Sequence, residues 1–179
     1  RHCRHERPRQ ADIVAVAGIE EETAPDLTFD KVNVLGTRHV VTEAERAQVR
    51  RLVFVSALGA DAGASEYHKS KWRAEQVVRG CSRPWVILRP GAVYGPGDRN
   101  LSLILKMVRT LPAIPVLDGG GQRFQPLWHE DMGEAVARAV DAPDITGREL
   151  ELAGPDRVTM NALLDRLQRL SGRHPRRVS

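Results

Sequence analysis

The chain has 179 residues, of which 41% are hydrophobic and 28% are charged, with a formal net charge of +4. This is typical of one globular domain, and no apolar run approaches the roughly 20 residues of a membrane-spanning helix, so we expect no integral membrane segment. Two cysteines are too few for a disulfide framework, which predicts a reducing, cytoplasmic location. The basic chain ends lack interleaved aromatic residues, which argues against a nucleic-acid partner.

The first eleven residues, R-H-C-R-H-E-R-P-R-Q-A, are basic and show neither strand nor helix periodicity. We predict that residues 1–11 form a disordered or atypical lead-in to a domain that covers residues 12–179. Cys3 lies between His2 and His5, but the chain has no second ligand cluster at a suitable spacing. We therefore predict no metal site.

Three apolar runs predict buried strands. The first extends from Ile13 to Ala17 and ends in Gly18, and a helical stretch follows it. Leu52–Val55 and Trp85–Leu88 are continuous apolar runs, which is typical of strands covered on both faces in a parallel sheet. A helical segment lies between the second and third runs and completes a βαβ unit, so the predicted fold class is α/β.

Tyr67 and Lys71 lie four residues apart on that helical segment, so their side chains share one face. A phenol has a pKa near ~10, and a neighbouring ammonium favours the phenolate. Such a pair can exchange a proton with a hydroxyl or a carbonyl group, which is the acid–base half of a hydride transfer. The alternative is that Lys71 is a solvated lysine on a helix surface.

The C-terminal part alternates helices and short strands. The segment N-L-S-L-I-L-K-M-V-R-T-L predicts a helix that Pro112 and Pro115 end. After the strand pattern G-R-E-L-E-L, Thr159 is predicted to cap a helix with a leucine stripe, and we interpret that stripe as core. Asp131 is predicted to cap a helix that runs to Val140.

The order of several motifs carries a family resemblance: V-A-V-A-G, V-N-V-L-G-T, F-V-S-A-L-G-A, Y-H-K-S-K, L-R-P-G-A-V-Y-G-P-G-D and R-F-Q-P-L-W-H-E-D-M. From about residue 12 to about residue 172 the chain resembles the short-chain dehydrogenase/reductase superfamily. It is most similar to the atypical extended branch related to the NAD(P)-binding accessory subunit of respiratory complex I. The resemblance implies the later strands of a Rossmann-type, doubly wound parallel sheet. It also implies a small C-terminal α/β substrate lobe from residues 98–128 and 147–172.

The resemblance implies a role for each matching residue. Tyr67 would be the acid/base, and Lys71 would lower its pKa and bind the nicotinamide ribose, while Asn33 would orient that lysine. The remaining contacts to an NAD or NADP cofactor would come from two chain segments: Ala17 and Gly18 on the adenosine side, and Pro90, Gly91, Ala92 and Val93 at the nicotinamide end.

Two further residues, Arg123 and His129, match the segment that faces substrate in extended members. Each role has a structural alternative. Asn33 could bond only to nearby backbone, Arg123 could pair with Glu130 or Asp131, and His129 could be an exposed bystander.

Two departures from the family pattern stand out. Ala57 occupies the position of the usual catalytic serine, so Ser56 would have to replace that hydroxyl. The sequence contains no strand followed by a glycine-rich turn and a helix, which is the arrangement that binds the pyrophosphate of a dinucleotide.

We therefore interpret the chain as a fragment of a longer reductase-like protein, with a truncated gene product as the alternative. From the missing strands we expect weak NAD(P) binding by the chain alone. We also expect an open sheet edge that favours self-association or pairing with another chain.

Three functions remain open from the sequence. The first is an NAD(P)-dependent oxidoreductase, epimerase or dehydratase that acts on a small-molecule substrate through Tyr67 and Lys71. The second is a non-catalytic NAD(P)(H)-binding protein with a role in assembly or sensing. The third is a degenerate fragment without activity. The Ser56–Ala57 step slightly favours the second function over the first.

Overall fold

The computed structural model describes residues 11–15 and 18–178. The first half contains, in chain order, β1 (Ile13–Ala15), a π-helix (Asp30–Leu35), α1 (Gly36–Arg46), β2 (Leu52–Val55), α2 (Glu66–Arg79), β3 (Trp85–Pro90) and β4 (Val93–Tyr94). The second half contains α3 (Asn100–Thr110), β5 (Ala113–Pro115), β6 (Arg123–Phe124), β7 (Leu127–Trp128), α4 (His129–Asp141), β8 (Glu149–Leu152), β9 (Val158–Thr159), α5 (Met160–Ser171) and β10 (Arg176–Val178). Short 3₁₀ turns cover Leu117–Gly120 and Pro143–Ile145.

The chain divides into two compact units. The first comprises the residues up to Arg89 together with Glu134–Glu151, and the second comprises Pro90–Gly133 together with the residues from Leu152 onwards. The predicted lead-in falls almost entirely on residues 1–10, which lie outside the described residues.

A four-stranded sheet in the order β1-β2-β3-β8 forms the first unit. β1 pairs in parallel with β2, and β2 pairs in parallel with β3, with Phe54 opposite Ile87. All four residues of β2 are buried, as the uninterrupted apolar run predicts for a strand covered on both faces. The predicted α/β fold with a parallel, Rossmann-type sheet is confirmed.

Helices α1 and α2 cover one face of this sheet. Their apolar residues Val41, Ala74 and Val78 form one cluster with Leu52 and Phe54 of β2. Ser65 caps α2, because its hydroxyl accepts a hydrogen bond from the His68 backbone N–H at 3.2 Å. The cap fixes where α2 begins, and with it the position of the first helical turn.

The second unit has its own core between α3 and α5. Val108, Ile114, Leu163 and Leu164 form its buried centre. Of the predicted leucine stripe, Leu163, Leu164 and Leu167 are core, whereas the prediction is wrong for Leu170, which is 83% exposed. Thr159 caps α5 as predicted, because its hydroxyl accepts from the Ala162 N–H at 3.1 Å.

Three two-stranded pairings complete the second unit: β4 with β7, β5 with β10, and β6 with β9. The predicted cap at Asp131 is wrong, because α4 begins two residues earlier at His129 and places Asp131 within its first turn. In residues 11–15 and 18–178, every helix is too short or too polar to cross a membrane.

Candidate functional site

Asn33 ties three segments of the first unit together. Its side-chain Oδ1 accepts from the Ile19 backbone N–H at 2.9 Å, and its Nδ2 donates to the Ile19 carbonyl at 3.2 Å and to Ser70 Oγ at 2.9 Å. Ser70 Oγ in turn donates to the Tyr67 carbonyl at 2.7 Å. The chain after β1 is thereby fixed to the first turns of α2.

A π-helical turn points Asn33 inward. The Gly36 N–H bonds to the carbonyl of Lys31, five residues back, so the helix is wider here than an α-helix. The Asn33 carbonyl accepts a hydrogen bond from Thr37 Oγ1 at 2.6 Å. Asn33 is only 1% exposed, and its bonds reach beyond nearby backbone, because one of its partners is the Ser70 side chain.

Lys71 is a buried amine, 4% exposed, whose Nζ donates to the Val55 carbonyl at 2.9 Å. The same Nζ lies 5.2 Å from the ring centroid of Phe54. Burial lowers the pKa of Lys71 to about 8, while the charges of Glu75 and Glu20 act in the opposite direction. In the described part of the chain, Lys71 has no carboxylate within ion-pair distance.

Gly18 leaves the space that this amine occupies. A Cβ atom at Gly18 would lie 3.1 Å from Lys71 Nζ and 3.2 Å from Asn33 Oδ1, which is closer than most Cβ contacts. Lys71 Nζ and Asn33 Oδ1 therefore approach the backbone at a residue that has no side chain. Ala17, predicted to lie beside the cofactor, is outside the described residues.

Tyr67 is half-buried in the first turn of α2, with its ring edge-on to Phe29 at 6.2 Å and to His68 at 5.3 Å. Burial raises the pKa of Tyr67, and the nearby charge of Glu20 adds to this effect. The direction is opposite to the expected lowering by Lys71, because burial disfavours the phenolate. The phenol is therefore a proton donor at neutral pH.

Ser56 is buried next to Val55, and its Oγ has no hydrogen-bond partner within the described residues. Its backbone N–H donates to the Leu88 carbonyl at 2.7 Å, so the residue continues the β2–β3 ladder. Ala57 is also buried and supplies only a methyl group. A buried hydroxyl without a partner calls for a water or a ligand, which is consistent with a role of Ser56 in binding.

The other predicted site residues belong to the second unit. Gly91 and Ala92 hold the segment after β3 by backbone bonds, from the Gly91 N–H to the Leu152 carbonyl and from the Leu127 N–H to the Ala92 carbonyl, both 2.9 Å. Pro90 ends β3 and Val93 begins β4, so this segment is short and fixed by backbone, as expected for a loop that contacts a ligand through main-chain atoms.

Arg123 and His129 are both exposed. Arg123 lies in β6, opposite Thr159 of β9. The ring centroid of His129 lies 4.3 Å from that of Trp128, with the two rings tilted by 55°. His129 also lies so close to Gly95 that a Cβ atom there would overlap its ring. His129 is thus held in place by its neighbours.

Two residues near Lys71 were not identified from the sequence. Ser70 is fully buried and links Asn33 to α2, and its only sequence signal is its place between Tyr67 and Lys71. Glu20 influences the pKa values of both Tyr67 and Lys71 from the segment after Gly18. No sequence motif marked Glu20, because its effect depends on a contact across about fifty residues.

The region around Lys71 and Ser56 offers hydrogen-bond donors that have few acceptors among the described residues, whereas both amide N–H bonds of Asn33 are already made to Ile19 and Ser70. It can hold hydroxyl or carbonyl oxygens of a ligand, and the phenol of Tyr67 on the same helix can give a proton. Over residues 11–15 and 18–178 there is no group of three His, Cys, Asp or Glu side chains that could hold a metal ion.

A sequence model of the NAD(P)H-binding family matches residues 7–106 of the chain. The mitochondrial NADH dehydrogenase (ubiquinone) 1 alpha subcomplex subunit 9 of Arabidopsis thaliana is 28% identical over 169 residues, which cover 93% of this chain and 42% of that relative. The ceramide reductase of Caulobacter vibrioides is 38% identical over 90 residues, which cover 50% of this chain and 28% of the reductase. The chain therefore spans less than half the length of either relative.

Among solved structures, UDP-glucuronic acid 4-epimerase from Bacillus cereus in complex with NAD matches with a TM-score of 0.80. The match covers 93% of this chain and 62% of the epimerase chain, at 18% sequence identity. At that identity the likeness concerns the fold.

Proposed function

The chain belongs to the NAD(P)H-binding family, and from that membership we propose that it is the part of an NAD(P)(H)-dependent oxidoreductase or epimerase that handles the nicotinamide end of the cofactor. Lys71 binds the ribose hydroxyls of the nicotinamide nucleotide, and Asn33 holds the segment at Gly18 against it. Tyr67 is the acid/base toward the substrate. Pro90, Gly91, Ala92 and Val93, which belong to the second unit, form the segment that the family resemblance predicts for backbone contacts to a nicotinamide nucleotide.

The burial of Lys71 without an ion pair carries this proposal. Within residues 11–15 and 18–178, the protein acceptor of this buried amine with a lowered pKa is a single neutral carbonyl. Such a group destabilises the fold, and such groups concentrate at functional sites. The two remaining N–H groups of Lys71 have no acceptor among the described residues, which suits a ligand that brings hydroxyl oxygens. The unpartnered hydroxyl of Ser56, next to the carbonyl that Lys71 binds, supports the same interpretation.

The raised pKa of Tyr67 favours the reducing direction. When bound, the reduced nicotinamide supplies a hydride to a carbonyl carbon, and the phenol of Tyr67 then donates its proton to the carbonyl oxygen. Lys71 has the separate role of binding the ribose, because burial and the charge of Glu20 are what raise the pKa of Tyr67. Ala57 occupies the position of the family's catalytic serine and has no hydroxyl. Ser56 carries the hydroxyl that is nearest to this position in the sequence.

A second candidate is NAD(P)(H) binding without catalysis, and Ala57 is the specific observation that favours it. A methyl group at that slot cannot polarise a carbonyl, although Lys71 and Asn33 would still hold the nucleotide. The similarity to the Arabidopsis subunit of NADH dehydrogenase is compatible with such a role, whereas the similarity to the ceramide reductase favours an enzyme.

Tyr67→Phe separates the two candidates. In the full-length protein, NADPH binding is measured by calorimetry, and NADPH oxidation is followed at saturating cofactor with a panel of aldehydes and ketones. For an enzyme, we expect Tyr67→Phe to keep the NADPH affinity within about threefold and to lower turnover at least about a hundredfold. Turnover that Tyr67→Phe leaves unchanged would rule out this phenol as the acid, and NADPH binding without any turnover in the unmodified protein would favour the binder.

Matched lysine variants test the binding role. Lys71→Met should abolish NADPH binding, because the ribose loses its buried donor. Lys69→Met is the control, since Lys69 is exposed on the same helix and pairs with Glu66 at 2.8 Å. Equal NADPH affinities of the two variants would contradict the placement of the nucleotide at Lys71.

A further inference from the structure

The second unit contains an apolar cavity of about 210 Å³ between α3, α5 and the segment after β3. Leu101 and Ile104 of α3, Phe124 of β6 and Met160 of α5 form much of its wall. These four side chains pack against the core of the unit on one side but remain only half-buried. The cavity is therefore an open extension of the core, where apolar surface stays in contact with solvent.

A second cavity of about 140 Å³ adjoins the first. Ile104, Gln122 and Met160 line both cavities, so the two form one elongated cleft. Beyond these residues the cleft continues along Met107 to Leu117, a leucine that is 81% exposed. From Asn100 to Met107 the cleft follows α3 over about 10 Å, at 1.5 Å per residue, which matches roughly eight methylene groups in an extended chain.

The lining excludes a phosphate-bearing ligand. Throughout the described part of this unit, no residue that lines either cavity carries a charge. The N-terminus of α3 is not free for an anion either, because the Asp98 carboxylate already accepts from the Leu101 and Ser102 N–H groups at 2.6 and 3.1 Å. The phosphates of a nucleoside diphosphate would have no charged partners in this cleft, whereas an alkyl chain needs none.

Apart from Gln122 at the junction, the polar side chains that line the cleft lie at one end of it. Tyr94 and Asn100 belong to the first cavity, together with Ala92 and Val93, and they do not line the second. A ligand with one polar end and one apolar end would therefore place its polar end beside Ala92 and its tail toward Leu117.

We propose that this cleft binds the alkyl chain of an uncharged amphipathic substrate, with its polar end at Ala92–Tyr94 and its tail along Ile104 toward Leu117. Methionine at position 160 suits such a ligand, because its flexible thioether adapts to a chain that can bend. The identification of the ligand as substrate rests on the proposed function, since Ala92 and Val93 also belong to the segment assigned to the nicotinamide end. Binding of the chain itself does not depend on it.

The test measures binding of 1-hexanol, 1-octanol and 1-decanol by calorimetry in the absence of any nicotinamide nucleotide. We expect the affinity to rise about three- to fourfold per methylene up to roughly eight carbons, and then to level off as the cleft fills. Ile104→Trp fills the junction of the two cavities and should lower octanol affinity at least tenfold. Leu103→Trp is the matched control, because Leu103 is the next residue on α3, is 57% exposed and lines neither cavity.

Gln122→Trp places the same bulk at the junction from a different segment, and its loss of octanol binding would support the proposal even if Ile104→Trp did not fold. An affinity independent of chain length, or an equal loss in Leu103→Trp, would overturn it. Binding of uridine diphosphate that Ile104→Trp and Gln122→Trp abolish would overturn it too, in favour of a nucleotide site. Because no cofactor is present, these results stand whether or not Tyr67 proves catalytic.

Discussion

Lys71 destabilises the fold at the position where we propose that its amine binds a ligand. Its amine is enclosed by Phe54, Gly18 and the Val55 carbonyl. Buried lysines are usually paired with a carboxylate, but Lys71 has none within ion-pair distance among the described residues. The lowered pKa expresses that cost, since the folded protein prefers the neutral amine while the unfolded chain keeps an ordinary lysine.

The pH dependence of stability follows from this shift. Between pH 8 and the ordinary pKa of 10.5, the unfolded chain binds the Lys71 proton and the folded protein does not, so the Lys71 contribution to the free energy of unfolding rises with pH in this window. Below pH 8 both states are protonated at Lys71, and the full cost is present.

We therefore expect Lys71→Met to be more stable than the unmodified protein at pH 7, by up to about 3 kcal/mol, with the difference shrinking as pH rises from 8 to 10. Urea unfolding at several pH values measures it. Lys69→Met should show no such pH-dependent difference, because Lys69 is exposed on the surface of α2. A Lys71→Met variant less stable than the unmodified protein across the whole range would mean that the bond to Val55 outweighs the burial of the charge.

At the scale of elements, α2 is held to the sheet by buried charges as well as by apolar packing. Arg89 at the end of β3 donates two bonds to Glu75, at 2.9 and 2.7 Å, and Glu75 is fully buried. Arg79 also pairs with Glu75, and its guanidinium lies 4.3 Å from the Trp72 ring centroid. The network lies one helical turn beyond Lys71, so it fixes the part of α2 that carries the site.

We expect Arg89→Met to lower the free energy of unfolding by about 3–5 kcal/mol, because Glu75 would keep its burial and lose its bidentate partner. Arg138→Met is the matched control. Arg138 is exposed and pairs with Glu134 one turn earlier on α4, so its loss should cost less than about 0.5 kcal/mol. Urea unfolding of both variants provides the comparison, and similar costs would show that the Arg89–Glu75 pair contributes no more than a surface pair.

The sequence was most informative where the pattern was local. The apolar runs of β2 and β3, the helix of Tyr67 and Lys71 and the Thr159 cap all follow from short-range periodicity or spacing, and the motif order predicted the NAD(P)-binding family that residues 7–106 match. These features depend on neighbours a few residues away.

What the sequence did not reveal depends on contacts distant in the chain. The π-helical turn has no sequence signature, yet it places Asn33 against Ser70, 37 residues later. The predicted strand ended at Leu88, although Arg89 continues β3 and reaches back to Glu75. The raised pKa of Tyr67 likewise depends on burial, which the spacing to Lys71 could not convey.

At the scale of the whole molecule, β1 forms one end of the four-stranded sheet within the described residues. The Ile13 N–H donates to the Arg51 carbonyl at 3.0 Å, and the Ala11 carbonyl accepts from Arg50, so the odd-numbered residues face β2. Val14 therefore directs its N–H and carbonyl away from β2, and its side chain is 39% exposed. Such an edge offers a place for a strand of a second copy to pair.

We expect sedimentation velocity to show association that grows with protein concentration, and Val14→Pro to weaken it at least threefold. Proline removes the outward N–H while every bond from β1 to β2 remains, and edge strands tolerate it, so the thermal midpoint should change little. Val14→Thr is the control, because it keeps the N–H and suits a strand. Association that is equal in the two variants would place the contact elsewhere on the protein, since only the proline variant lacks the donor that a pairing strand needs.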